Sequence, residues 1–150
     1  MSENIGRFHQ CAGHMAFTLA ANVATLPVIG LFGLFTVKHL IADYMLQSAS
    51  MVAGKDARRQ WLLPLTLHAA IHAGGTFLLV MAVQPALWWL APLDFAIHAA
   101  IDRIKSMVGG YGAWRTEESR FWRLHGADQA AHHVTHFAYV LVLAGAIVVA

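Results

Sequence analysis

Four apolar stretches of this chain each carry ionisable side chains spaced four residues apart. Taken by stretch, these residues are His39/Asp43, His68/His72, Asp94/His98/Asp102 and Asp128/His132/His136. Side chains four residues apart lie one above another on a helix, so each stretch predicts a helix with a single polar stripe. A charged group at bilayer depth costs roughly 2.5 to 3.5 kcal/mol, and the stripes therefore need partners inside the protein.

The composition places the chain among membrane proteins. Of its 150 residues 58% are apolar and only 12% are charged, well outside the average of soluble domains. The first ten residues lack the basic start and the small-residue cleavage pattern of a signal peptide, so we expect no removable targeting segment. These features predict one all-α transmembrane domain over residues 1–150.

Breaks in the apolar runs divide the chain into helices. About four membrane spans are predicted, over residues 28–51, 61–83, 86–107 and 127–150. Each is long enough to cross a hydrocarbon core of roughly 30 Å. Residues 12–27 predict an additional N-terminal helix that either crosses the membrane or lies along it. Residues 108–126 mix polar residues with Trp and Phe, which predicts an amphipathic helix in the headgroup layer.

The basic residues predict how the spans are oriented. They concentrate in two loops, around Lys55–Arg59 and within Arg103–Arg123. Because positively charged loops stay in the cytoplasm, both loops should be cytoplasmic. All four polar stripes then occupy the cytoplasmic half of the bilayer, and this agreement in depth predicts that they meet at one site.

A metal ion is the simplest partner for the converging stripes. Imidazole and carboxylate groups bind Zn²⁺-like ions, and the single cysteine, Cys11, excludes a cysteine-rich site. The predicted ligands are His39, Asp43, His68, His72, His98, Asp102, Asp128 and His132. His72 ranks below the others, together with Asp94 and His136. Since one ion needs three or four ligands, this surplus predicts either two divalent ions or additional groups that orient the ligands.

Metal-bound water suggests a catalytic role for the same residues. A metal with an open coordination position lowers the pKa of its water toward roughly 7 and yields a hydroxide nucleophile. A spare carboxylate could accept the proton of that water. The predicted catalytic residues are Asp43, Asp102, Lys105 and Gln129. Lys105, Gln129 and Gln47 are assigned as hydrogen-bonding or anion-holding neighbours.

Four motifs carry a resemblance to a known family. HLIADYMLQ at 39–47, HAAIH at 68–72, HAAIDRIK at 98–105 and DQAAH at 128–132 resemble the motif series of a domain-of-unknown-function family of small bacterial polytopic membrane proteins. The resemblance covers roughly residues 30–145 and implies a place in the bacterial inner membrane. The helical His/Asp pairs are more distantly similar to those of membrane-bound metal-dependent hydrolases. Residues 1–27, with His9 and His14, depart from the family's usual short beginning.

These observations favour a membrane-embedded metal-dependent hydrolase that acts on a lipid or another amphipathic ester or phosphoester at the cytoplasmic leaflet. The alternatives are an ion or proton transporter, a haem-binding electron-transfer subunit and a structural subunit of a membrane complex. Membrane lipids, and a second copy or a complex partner, are the expected partners. Nucleic acid is not expected, because the net charge is only +2.

Two plainer interpretations stay open at this point. The buried histidines could simply hydrogen-bond across helices, where such contacts contribute roughly 0.6 to 2 kcal/mol each. Asp94, close to Pro92, could be a helix-start residue that faces the opposite interface.

Overall fold

The computed structural model of the protein describes residues 25–149, and these residues form an all-α bundle. The helices are α1 (Thr25–Met45), α2 (Ala49–Lys55), α3 (Leu62–Val83), α4 (Leu90–Gly112) and α5 (Ser119–Val149). A short 3₁₀ turn, Pro85–Leu87, joins α3 to α4. The predicted N-terminal helix lies outside the described residues except for 25–27, which belong to α1, and His9, Cys11 and His14 lie outside them too.

Helix α1 ends earlier than the span predicted over 28–51. Its last turn, Ile41–Met45, is a π-helix in which the Leu46 amide donates to the Ile41 carbonyl at 3.0 Å. Ser48 then caps α2, with its side chain accepting from the Met51 amide at 3.2 Å. Such π-turns recur at functional sites, and this one carries Asp43.

Helices α3 and α4 form an antiparallel hairpin. His68 contacts Asp102 near one end of the pair, and Thr76 contacts Asp94 near the other. Helix α2 packs on α3 because Gly54 has no side chain. A Cβ atom at Gly54 would lie 2.5 Å from Cγ of Pro64.

The segment expected as one interfacial helix, 108–126, is divided between two helices. Residues 108–112 complete α4, which ends where Ala113 adopts a left-handed conformation with φ of 48°. Residues 119–126 begin α5. The glycines therefore do not break α4. A Cβ atom at Gly109 would lie 3.4 Å from Leu124, so this part of α4 faces the start of α5.

Among residues 25–149, three helices are long and apolar enough to cross a membrane. They are Thr25–Met45, Leu62–Val83 and Ser119–Ile147. Large apolar side chains point outward from them, as in Leu63 and Leu78, which are 67% and 71% exposed. This apolar exterior indicates a membrane protein. Helix α4 has a similar length but carries Asp94, Asp102, Arg103 and Lys105, so the predicted fourth span is not established by composition.

The interior of the bundle has two parts of opposite character. The apolar half contains Leu31, Phe35, Val80, Leu90, Tyr139, Val140, Leu143 and Ala144. The polar half lies toward the loops that follow α1 and α4, and it holds the predicted site residues. One bundle thus combines an ordinary apolar core with a buried polar one.

Candidate metal centre

Nine histidine and aspartate side chains fill the polar half, each at most 6% exposed. They are His39, His68, His72, Asp94, His98, Asp102, Asp128, His132 and His136. Helices α1, α3, α4 and α5 all contribute, as the four sequence stripes predicted. Buried charges are retained only when they are paired or bind an ion, so this concentration requires a specific arrangement.

The first ligand group consists of Asp43, His68, His72 and His98, whose ligand atoms all lie within 4.8 Å of one another. Oδ1 of Asp43 is 3.0 Å from Nε2 of His72 and 3.4 Å from Nε2 of His68. Nε2 of His98 lies 3.2 Å from Nε2 of His68. Three imidazoles and one carboxylate match the number and type of ligands that a zinc-like ion takes. These residues could hold a metal ion.

The second ligand group consists of His98, Asp102 and His132, again within 4.8 Å. Nε2 of His132 is 3.4 Å from Oδ1 of Asp102, whereas the other oxygen of Asp102 is 3.3 Å from Nε2 of His68. Asp102 therefore lies between the two groups, and His98 belongs to both. Either group could hold a metal ion.

His39 and Asp128 lie at the edge of these groups. Nε2 of His39 is 3.2 Å from Oδ2 of Asp43 and 3.2 Å from Oε1 of Gln129. Oδ1 of Asp128 lies 3.6 Å from Nε2 of His132. Within residues 25–149 neither side chain joins a ligand group. Both are placed to orient a member of one.

Gln47 makes the hydrogen bond that the sequence led us to expect. It lies just beyond the π-turn, and its amide nitrogen is 3.1 Å from Nδ1 of His68. This contact holds the imidazole so that Nε2 faces Asp43. When Nε2 of His68 binds a metal, Nδ1 carries the proton. Rotating the Gln47 side-chain amide by 180° would then let its oxygen accept a hydrogen bond from Nδ1.

Lys55 was read from the sequence as a loop residue that orients the chain, and the structure corrects this. The side chain is only 6% exposed, and its Nζ lies 2.9 Å from Oδ2 of Asp102. Lys55 is the last residue of α2, which lies outside the three candidate membrane spans, and its side chain reaches into the polar half. The sequence signal that could have indicated a buried lysine is its position directly after the apolar run ASMVAG.

A second buried cluster contains Lys38, Thr76, Asp94 and His136, and we call it the Lys38 cluster. Nζ of Lys38 lies 3.1 Å from Oδ2 of Asp94, which is itself 1% exposed. The interpretation of Asp94 as a helix-start residue at the interface is therefore wrong. Lys38 was not singled out in the sequence, although a lysine inside an apolar run beside His39 is a recognisable signal.

A cavity of about 450 Å³ opens beside the ligand groups. Its polar lining includes all four predicted catalytic residues, which are Asp43, Asp102, Lys105 and Gln129. Its apolar lining includes Trp114 from the α4–α5 connection and Phe121 and Leu124 from the start of α5. Polar and apolar surfaces thus face each other across one space.

Comparison with known proteins gives a family. Residues 31–149 match the family described as "Protein of unknown function (DUF3307)". The chain belongs to this family. No curated protein and no solved structure matches it.

The DUF3307 match covers the whole candidate site. Residues 31–149 contain both ligand groups, the Lys38 cluster and every residue that lines the cavity. The family description names no reaction, so a function has to be argued from the site itself.

Proposed function

We propose that this protein is a membrane-embedded metal-dependent hydrolase whose substrate is a lipid or another amphipathic ester or phosphoester. The observation that supports this most directly is the cavity, since it joins the carboxylates of both ligand groups to an aromatic and aliphatic wall. A substrate with a polar reacting group and an apolar tail would complement such a space.

The two ligand groups would hold the metal. Bound there, the ion would supply a Lewis acid and a hydroxide nucleophile at neutral pH. The described residues offer imidazole and carboxylate donors at this place, which suits Zn²⁺ or a similar ion. Because His98 is common to both groups, it is the most informative ligand to remove.

The chain's own residues would divide the remaining tasks. Asp128 lines the cavity at the margin of the second ligand group, where its carboxylate could accept a proton from water. Lys105 lines the same cavity and forms no ion pair within the described part of the chain, so its ammonium is available for an anionic group of the substrate. Trp114 and Phe121 would hold the apolar portion.

The orientation follows from the positive charges. The cavity opens at the end of the bundle that carries Lys105 and Arg103, and basic loops favour the cytoplasmic side. We therefore propose that α4 completes a four-span bundle. The site would then face the cytoplasmic leaflet of a bacterial inner membrane.

Two alternatives are less consistent with the geometry. A transporter needs a polar path through the bundle, whereas Phe35, Val80 and Leu143 are 0% exposed in the apolar half. A haem needs a flat slot between its ligands. The rings of His72 and His98 stack at 3.7 Å, and those of His98 and His132 at 4.0 Å, which leaves no room for a macrocycle between them.

Elemental analysis of detergent-purified protein tests the metal centre. We expect bound divalent metal in the wild-type protein and its loss in His98→Ala, because this substitution removes a ligand from both groups. Two neighbouring histidines of α5 supply the matched comparison. His132→Ala removes a member of the second ligand group, whereas His133 belongs to neither group and lines an apolar groove between α1 and α5, so His133→Ala should keep the wild-type metal content. Unchanged metal content in folded His98→Ala protein would contradict the proposal.

Hydrolysis is tested separately with the metal-loaded protein. Anionic phospholipid in mixed micelles should be cleaved, and a chelator should abolish the reaction. A short water-soluble ester without a tail should be a poor substrate, since it cannot use the apolar wall. Metal binding without cleavage of any amphipathic ester or phosphoester would leave the centre intact and refute the hydrolase.

A further inference from the structure

The Lys38 ammonium lies among four polar atoms from α3, α4 and α5. Its Nζ is 3.0 Å from Oγ1 of Thr76, 3.1 Å from Oδ2 of Asp94 and 3.1 Å from Nε2 of His136. The carbonyl oxygen of His72 is 3.3 Å away. The three oxygens match the three protons of an ammonium, and Nε2 of His136 adds a fourth contact whose direction depends on the imidazole tautomer. The arrangement resembles the coordination shell of a cation.

The donor types support the same interpretation. One carboxylate, one hydroxyl, one carbonyl and one imidazole would be an ordinary oxygen-rich set for a divalent ion. The site is closed as well, because Thr76 is 0% exposed and His136 is 1% exposed. Bulk water therefore does not solvate the Asp94 carboxylate, and the Lys38 ammonium balances its charge instead.

Helix α3 is shaped to admit the lysine. A Cβ atom at Gly75 would lie 2.7 Å from Cγ of Lys38, so the aliphatic stem passes directly over this position. At the neighbouring Gly74 an added Cβ would meet nothing within 4 Å. Of these two adjacent glycines, only Gly75 makes room for Lys38.

We propose that Lys38 is a resident cation, whose ammonium occupies a site that its surrounding donors would otherwise offer to a metal ion. The ammonium thereby keeps a metal ion out of this site. The backbone of His72 faces the resident cation while its imidazole belongs to the first ligand group, so the two sites adjoin. This inference does not depend on the hydrolase proposal.

The test is the metal content of Lys38→Ala protein. Wild type and variant are purified in detergent, equilibrated with Zn²⁺ or Mn²⁺, freed of unbound metal and compared by elemental analysis. We expect the variant to bind one more ion per chain than wild type, whatever the wild-type content is. The double variant Lys38→Ala/Asp94→Asn should not show this gain, because its site has lost the carboxylate.

A folded Lys38→Ala protein with the same metal content as wild type would overturn the proposal. If the single variant folds poorly, the measurement becomes the rescue of folding by added Zn²⁺ or Mn²⁺, followed by circular dichroism and gel filtration. If added metal restores folding of Lys38→Ala, while the double variant folds without metal and gains nothing from it, the proposal of a vacated cation site is supported. Failure of both metals to rescue, while the double variant folds, would identify Lys38 as a structural ion-pair partner only.

Discussion

The two halves of the bundle solve the problem of a buried interior in different ways. The apolar half packs Phe35, Val80 and Leu143 at 0% exposure, and any well-fitting hydrocarbon could serve there. The polar half is equally buried but contains groups that are costly without their partners. In the apolar half, the fit of side-chain shapes determines stability. In the polar half, the stability of each side chain depends on the chemical identity of its neighbours, as is expected of a binding site.

The largest expected effect comes from breaking a charge pair in the polar half. Asp94→Ala leaves the Lys38 ammonium buried without its carboxylate, and we expect a loss of about 3–5 kcal/mol in the free energy of unfolding. The measurement is thermal or denaturant unfolding in detergent. Lys38→Met/Asp94→Leu removes both charges and should recover most of the loss. If Asp94→Ala is as stable as wild type, the polar half does not depend on its charge pairs, and the proposed difference between the two halves is wrong.

A similar loss of stability in the apolar half should leave the metal centre intact. Leu143→Ala opens a cavity in the apolar half and should cost about 3 kcal/mol. Because Leu143 packs in the apolar core and belongs to neither ligand group, the metal content of the folded protein should stay at the wild-type value. A drop in metal content would mean that the two halves are coupled. Elemental analysis beside unfolding measurements distinguishes the outcomes.

A smaller effect concerns the orientation of a ligand. Gln47→Ala removes the hydrogen bond to His68, and we expect metal affinity to fall about 10- to 100-fold with little change in stability. Titration with a competing chelator measures this. Gln84, at the opposite end of α3, is the matched control, and Gln84→Ala should bind metal as wild type does. Equal affinities in the two variants would argue against a positioning role for Gln47.

The smallest effect comes from one methyl group on α3. Gly75→Ala crowds the stem of Lys38 and should cost about 1–2 kcal/mol. Gly74→Ala meets nothing and should be neutral or slightly stabilising, since alanine favours helix by about 1 kcal/mol over glycine. Unfolding of the two variants under identical detergent conditions is the comparison. If both variants lose the same free energy of unfolding, Gly75 is not specifically required to accommodate the Lys38 side chain.

Much of the polar half could be predicted from the sequence, because helical periodicity is a local property. A spacing of four residues put His68 and His72 on one face of α3 and His98 and Asp102 on one face of α4. The structure brings both pairs together in the polar half of the bundle. Their role as metal ligands stays a prediction.

Other features depend on contacts that periodicity does not encode. Lys38 and Lys55 are single lysines, and only the packing of α1 and α2 shows which carboxylate each one meets. The π-turn at Ile41–Met45 has no clear sequence mark. Glycines commonly interrupt helices, yet α4 continues through Gly109 and Gly110 to Gly112.

The π-turn also determines how this segment tolerates changes in length. It holds one residue more than an α-helical turn, so deleting one residue between Ile41 and Met45 would restore a regular turn and leave the direction of the following chain unchanged. An added residue has no such remedy, because each residue of a helix advances the chain by about 100°. It would turn Gln47 away from His68 and α2 away from Asp102, so a single inserted codon would disconnect two contacts at once.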